Sequence, residues 1–553
     1  MRKHDEPREK RYQLHAILIV LALALVAGRI STVINREGDS AMLSANDRSR
    51  WVTVAAMVER GTFAIDELIQ IKTKRGHRLW DTIDKVRHVG SDGQLHYYSS
   101  KPTLLTTVIA AVHYSVHAVT GLSLIEQPIY MVRLLLLLIN IPLLALFLIT
   151  MALSIEWSSA SGWAKQMTVA ASCFATMLTP FAISLNNHLF AAAATSLTLY
   201  LYLRTSEKIH DSFGGVVFRP SFWLWGLAGA SAAFAVACEL PSLSMFALWA
   251  VMFALLKRNS IPGFLTGAAI VFFGVFATNY WVHQSWKTPY AHRGTGEVVT
   301  EFEWSGGGAN ALESLREQVA ALPALAGSSS IEVRELAESP TSESANALSK
   351  SQRQYEVVGK FADGVKQWNV QPAKTAGSGR IWQLAVWDDW YDYPNSYWRG
   401  DKRRGVDLGE TSRLKYAFHA SFGYYGLFSL TPIWLLMPLG LIYKITHGPL
   451  DRRFLAAAIA LATAVCFAFY VARPEIDRNY GGVSVCFRWM LWFVPLWIYA
   501  ITAELDQLSE SKLGRYFAIG LIAASVFSVS TSLDSPWQSP WLYRFASFLG
   551  WMG

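Results

Sequence analysis

Charge is scarce in this chain: Asp, Glu, Lys and Arg make up 16% of its 553 residues, against 52% hydrophobic and 13% aromatic. That composition is too apolar for one or two ordinary soluble domains, and the long uncharged runs define an all-α polytopic membrane protein. Cysteine is sparse as well. Cys173, Cys238, Cys466 and Cys486 are scattered without close pairs, so neither a disulfide framework nor a metal-ligand spacing emerges. No internal repeat is evident. The net charge of +8 would suit a nucleic-acid partner, but the basic residues sit at the ends of apolar segments, where the positive-inside rule places them. Nucleic acid is therefore not expected as a partner.

What is present is a succession of apolar runs. Residues 1–13 are basic and Leu14 to Ile34 follow as a run of spanning length, which reads as an uncleaved anchor with a cytoplasmic N-terminus in preference to a signal peptide. Further runs lie near 102–119, 131–151, 166–184, 188–204, 221–237, 241–257, 261–283, 425–444, 454–472, 487–504 and 515–531. Counting each as a span places Arg204, Lys208, Arg219, Lys257 and Arg258 outside. Removing one span before residue 204 brings the basic segments 204–219, 257–258, 444–453 and 512–515 to the cytoplasmic side. Lys101 to His117 is the shortest and most polar candidate, and is read as a juxtamembrane helix in the interface. About eleven transmembrane helices remain, with the C-terminus outside.

This topology puts five stretches on the outer face: 35–130, the Asn186-Asn187-His188 turn, the Glu239-Leu240-Pro241 break, a large insert at 284–424, and 473–486. The corresponding division is an N-terminal membrane module at 1–283, the insert at 284–424, C-terminal membrane helices at 425–531 and an interfacial tail at 532–553. Within the insert a Gly306-Gly307-Gly308 break precedes amphipathic helices expected at 310–322 and 343–362, and SSSIEVRELAESPTSESANALSKSQ reads as a polar connector. WQLAVWDDWYDYPNSYWRGDKRRG is dense in Trp, Tyr and Asp, which suits a membrane interface first and sugar stacking second.

The stretch from Asn46 to Lys101 concentrates carboxylates, bases and aromatics between two apolar segments. Asp47 precedes an amphipathic pattern in which Trp51, Val54, Ala55 and Val58 share a face, so it stands at or near a helix N-terminus, where a cap is the plain reading. His96, Tyr98 and Lys101 come just before a helix whose first turn suits Pro102. A lysine at headgroup level is a partner for phosphate or a snorkelling anchor.

The pattern N-D-R-S-R-W, then M-V-E-R-G-T-F, then Y-S-S-K-P resembles the first outer loop of GT-C-type glycosyltransferases, among them protein O-mannosyltransferases and the aminoarabinose transferase that modifies lipid A. Asp47, Arg50, Trp51, Met57, Gly61, Tyr98, Lys101 and Pro102 fall at the matching places. Asn187-His188 resembles the family's polar turn before a span, and NYGGVSVCFRWMLWFVPL its terminal segment with a basic residue before a helix. The chain departs in having Asp47-Arg48 for the usual Asp-Glu pair and Thr103 for the second proline.

The resemblance implies an inverting transferase of the cell envelope, in a bacterial inner membrane with its active site on the extracytoplasmic face. A sugar on polyprenyl phosphate would be the donor, a membrane lipid itself, and the acceptor a protein, lipid or glycan. Asp47 would be the general base, with Asp39 and Asp66 as rivals. Arg50, His96, Tyr98, Lys101, Asn187, His188 and Arg488 would bind substrate or its phosphate. No cofactor is expected, and the loss of the second carboxylate at Arg48 weakens a metal site without closing the question. Two other classes stay open: a transporter or flippase of lipid-linked saccharides, which would carry its ionisable groups near the midplane, and a non-catalytic subunit of an envelope complex.

Overall fold

The computed structural model describes residues 7–73, 75–211, 220–305, 310–336, 354–373, 381–399 and 402–551. The triple-glycine break at 306–308, the 337–352 part of the expected connector and the first part of the 343–362 segment lie outside the described residues. The chain forms two compact units, one of Met1–Asp47, Ser115–Val275 and Val406–Gly553, the other of Arg48–Tyr114 and Phe276–Gly405. Residues 48–114 of the first outer loop and 284–405 of the insert, kept apart at the sequence level, thus share one unit.

The first unit is helical throughout its described residues, as the apolar runs require. Among the described residues of both units, six helices are long and apolar enough to cross a membrane: Arg8–Thr32, Thr103–Thr120, Pro128–Glu156, Ser260–His283, Leu450–Ala472 and Lys512–Ser530. Three shorter apolar helices join them at Phe222–Cys238, Leu240–Leu256 and Pro432–Thr446. The chain is therefore an integral membrane protein, but the expected number of about eleven full spans is not reached by length and composition. Thr103–Thr120, read from sequence as interfacial, is one of the six.

Several of the expected runs form helices shorter than a span. In Val494–Leu508 every residue from Val494 to Ala503 is buried, so its environment is protein and not lipid. The run at 166–184 divides into Gly162–Phe174 and a single turn, Leu178–Phe181, that contains Pro180. Helix starts follow local chemistry: Ser161, Ser221 and Ser511 each accept the N–H three residues on. Where Phe222–Cys238 meets Ser260–His283, the glycines at 226, 229, 263 and 267 bring the backbones so close that a Cβ on Gly267 would lie 1.9 Å from the Gly226 carbonyl oxygen.

The tail at 532–553, expected at the interface, contributes a helix at Trp541–Phe548 with exposed Phe545 and Phe548. Its first part is mixed, with Asp534 exposed and Ser532, Pro536 and Trp537 buried. The Val485 N–H donates to Pro536 O at 3.0 Å, and the Trp537 indole donates to Ser184 Oγ at 3.1 Å.

The second unit carries the strands that the all-α reading lacked. A hairpin pairs β1 (Lys85–Val89) with β2 (Leu95–Ser99), the latter made from the HYY segment read as loop. The insert holds β3 (Arg293–Glu303), β4 (Ser330–Glu335), β5 (Tyr355–Phe361), β6 (Gly364–Pro372) and β7 (Ile381–Asp389), an antiparallel sheet in the order β3-β7-β6-β5-β4. The helix expected at 310–322 is present as Ala311–Ala320 and packs Leu315 and Val319 against Trp304, Tyr355, Trp368 and Trp382. The helix expected at 343–362 is replaced, over its described residues, by β5. Alternation explains the difference: Tyr355 and Val357 face this core, while Glu356 lies on the opposite face, held by Arg87 and Arg334 at 3.0 and 2.7 Å. SIEVRE, taken as connector, is the edge strand β4.

Candidate functional site

In the first unit, Asp47 lies in the opening turn of Ala45–Glu59 and is fully buried. Ser44 Oγ accepts the Asp47 N–H at 3.1 Å, while Asp47 Oδ1 accepts the Ser44 N–H at 2.8 Å. This is a reciprocal capping box, with Ser44 as the cap and Asp47 its partner three residues on. Oδ2 accepts the Leu43 N–H at 2.8 Å. Asp39 is only partly buried, and its Oδ1 accepts from the Asn35 amide at 2.6 Å.

A second cluster in this unit unites three of the expected residues across the whole length of the chain. Helix Phe222–Cys238 stops at Glu239, whose extended backbone turns the chain into a short 3₁₀ segment, as the Glu239-Leu240-Pro241 break predicts. Helix Asn187–Asp211 begins beside it, with Asn186 Oδ1 accepting the His188 N–H at 2.9 Å. Asn187 Nδ2 donates to Glu239 Oε1 at 2.7 Å, and His188 Nδ1 contacts the same oxygen. His188 Nε2 lies 2.9 Å from Arg488 Nη1.

Arg488 opens the 3₁₀ turn Arg488–Phe493 ahead of Val494–Leu508. Its Nε donates to Gly481 O at 2.6 Å and its guanidinium lies 5.0 Å from the centre of the Trp537 ring. Gly481 and Gly482 adopt positive φ at 97° and 80°, which lets the backbone carbonyl turn toward the guanidinium. Arg488 is partly buried, whereas His188 and Glu239 are 1% and 6% exposed.

In the second unit, Lys101 is not an open cation. Its Nζ lies 2.9 Å from Asp84 Oδ2, with both side chains nearly buried. Ser49 ties the same corner together, donating to Asp84 O at 2.6 Å and sharing a 2.7 Å hydrogen bond with Ser99 Oγ. Arg50 is buried at 2% exposure within the helix Ala45–Glu59.

His96 stands between two carboxylates, with Nδ1 3.1 Å from Asp66 Oδ2 and Nε2 2.8 Å from Asp92 Oδ2. Burial draws the imidazole down, but Asp92 and Asp66 outweigh it and hold its pKa above the ordinary histidine value. Asp66 also accepts the Tyr97 N–H at 3.2 Å. Tyr98 stacks on His88 at 4.5 Å, and burial, helped by the charges of Asp92 and Asp66, pushes its phenol up to about 12. His88 is driven down to about 4, chiefly by burial.

The expected residues thus form separate groups: Asn187, His188 and Arg488; Asp66, His96 and Tyr98; Lys101 alone with Asp84. Glu239, Asp84, Asp92 and Trp537 complete these groups without having been assigned to them from sequence. Only Glu239 carried a signal, as an acid at a helix break. Among the described residues no three His, Cys, Asp or Glu side chains stand where they would hold one metal ion.

No protein-family model matches the chain, and no curated protein matches it. Among solved structures, the chain is similar to the apo oligosaccharyltransferase of Archaeoglobus fulgidus, at 12% identity and a TM-score of 0.43 over 99% of this chain and 59% of that one. It is also similar to the S. cerevisiae protein O-mannosyltransferase complex bound to the sugar donor, at 11% identity and a TM-score of 0.41 over 100% of this chain and 94% of that one. A third structure, the archaeal oligosaccharyltransferase AglB from Archaeoglobus fulgidus in complex with an inhibitory peptide and a dolichol-phosphate, gives 12% identity and 0.43 over 99% and 58%. The chain spans less than three-fifths of the two archaeal structures' length. At these identities and scores the likeness assigns the chain neither a family nor an activity.

Proposed function

We propose that the chain is a GT-C-type membrane glycosyltransferase of the bacterial inner membrane. It moves a sugar from a polyprenyl-phosphate donor to an extracytoplasmic acceptor, with inversion at the anomeric carbon. The observation that carries this reading is Arg488: a partly buried arginine whose guanidinium is held by Gly481 O, His188 and the Trp537 ring in a chain of membrane helices. A planar array of donors held in one orientation suits a phosphate whose lipid tail stays in the bilayer.

In the reaction the bond from the anomeric carbon to the donor phosphate oxygen breaks and the departing polyprenyl phosphate gains a negative charge, which Arg488 offsets. The acceptor hydroxyl oxygen bonds to that carbon from the opposite face, and its proton passes to a carboxylate. Asp47 takes the proton in this reading, because the capping box holds its carboxylate in one place. Asp39 is the alternative on grounds of access, being partly exposed with one oxygen engaged by Asn35. Lys101, neutralised by Asp84, is assigned to the architecture of its unit and not to the phosphate.

The test is a panel of polyprenyl-phosphate sugars offered to the purified protein in lipid nanodiscs with a membrane extract as acceptor source, following release of polyprenyl phosphate. One donor should be consumed, and Arg488→Ala should raise its KM. Consumption of no donor, or an Arg488→Ala variant with unchanged donor KM, contradicts the reading.

A further inference from the structure

We infer that Glu239 and His188 are positioning residues that aim Arg488 at the donor phosphate, with Asn187 anchoring Glu239; the inference rests on the phosphate role of Arg488 proposed above. A guanidinium has only N–H donors. His188 Nε2, 2.9 Å from Arg488 Nη1, must therefore be an acceptor, which leaves the single ring proton on Nδ1, the atom that meets Glu239 Oε1. Arg488 thus donates into His188, and the Nδ1 edge of His188 lies against the Glu239 carboxylate. Asn187 Nδ2 donates to the same carboxylate oxygen and to Cys238 O at 3.0 Å, which pins the carboxylate at the helix break.

Gly481 O on Nε and His188 on Nη1 hold the guanidinium, and the Trp537 ring lies over it. Rotation of the planar group would break one of these contacts. A cap alone does not account for the arrangement, because Asn186 already supplies the helix cap through the His188 and Leu189 N–H groups. The side chain of His188 is left to face Arg488 on one edge and Glu239 on the other, with Phe181 meeting its ring edge-on at 5.2 Å. A buried imidazole and carboxylate joined to the guanidinium assigned to the phosphate form an orienting chain of the kind that supports ligands from behind.

The experiment is a double-mutant cycle read as the Kd for a polyprenyl monophosphate in nanodiscs. Arg488→Ala should weaken binding about 10- to 100-fold, the worth of a charge-assisted hydrogen bond to phosphate. Glu239→Leu should weaken it about tenfold in the wild-type background and leave it unchanged in the Arg488→Ala background, because its effect passes through that guanidinium. Glu239→Gln serves the same cycle if the leucine variant does not fold. His188→Leu should match Glu239→Leu, and His188→Gln, whose amide oxygen can stand in for Nε2, should recover most of the loss. An equal effect of the Glu239 substitution in both backgrounds, or His188→Gln binding no better than His188→Leu, overturns the positioning role. Equal binding by wild type and Arg488→Ala is a different result: it removes the phosphate role itself.

Discussion

Replacing Lys101 distinguishes the role its sequence position suggests from the one its surroundings impose. The Lys101 and Asp84 side chains are 6% and 15% exposed and 2.9 Å apart, so neither charge is screened by bulk water. Removing the ammonium in Lys101→Ala strands a carboxylate in a nearly dry corner, and breaking a buried pair in this way costs about 3–5 kcal/mol. For a unit of this size that is a fall of about 6–20 °C in apparent Tm. Replacing both partners together, Lys101→Met with Asp84→Leu, should recover much of the loss, because no isolated charge remains. The assay is thermal unfolding in nanodiscs, followed by donor binding at a temperature where each variant is folded. A Lys101→Ala protein with wild-type Tm and lost affinity for polyprenyl phosphate refutes the reasoning and returns Lys101 to the phosphate.

Other consequences follow from single contacts. Gly267→Ala would push a methyl to 1.9 Å from the Gly226 carbonyl oxygen and should lower stability by about 1–3 kcal/mol, while Gly520→Ala, with nothing within 4 Å, should be neutral or slightly stabilising; thermal unfolding of the pair decides. Glu356 is 2% exposed and joins Arg87 to Arg334, so Glu356→Gln should destabilise the second unit by about 3 kcal/mol, seen as faster proteolysis of the insert. His96 has a raised pKa, so it adds stability that is complete below the unfolded value of 6.5 and is lost as pH rises through the folded one. His88, driven down to about 4, acts in the opposite sense, withdrawing stability as pH falls from 6.5 toward that value. The His96 contribution is therefore read as the difference between wild type and His96→Gln, which should be larger at about pH 6 than at about pH 8.5; a difference that grows with pH contradicts the carboxylate pairing.

Much of the helical unit was legible because burial in lipid or protein demands long apolar runs, and the breaks at Glu239 and Arg488 showed as polar residues inside such runs. Asp47 was placed correctly at a helix start, but the capping box was missed although Ser44 stands three residues before it. The strands were harder. Their signal is short, and two Asp-Gly pairs, Asp92-Gly93 and Asp363-Gly364, were the turn marks that reveal β1–β2 and β5–β6. Both glycines have positive φ, and Gly93 O accepts the Val365 N–H at 2.7 Å, so the two hairpin tips meet. The meeting of His188 with Arg488 joins residues 300 apart, which no local pattern encodes. The partner of Lys101 was hidden for the same reason: Asp84 lies in view in the sequence, but only the fold of β1 against β2 brings it to the ammonium.

The proposed transfer of a sugar from a lipid phosphate is tested by single-turnover transfer from a radiolabelled polyprenyl-phosphate sugar by wild type and Asp47→Asn side by side. Asparagine keeps an oxygen for the Ser44 N–H but no acceptor for the Leu43 N–H, so thermal unfolding first fixes a temperature at which the variant is folded, and the rates are compared there. Wild type should give product of inverted anomeric configuration, and Asp47→Asn a rate about 10²–10⁴-fold lower. Product of retained configuration, or transfer by Asp47→Asn at the wild-type rate with Asp39→Asn equally active, contradicts the proposal.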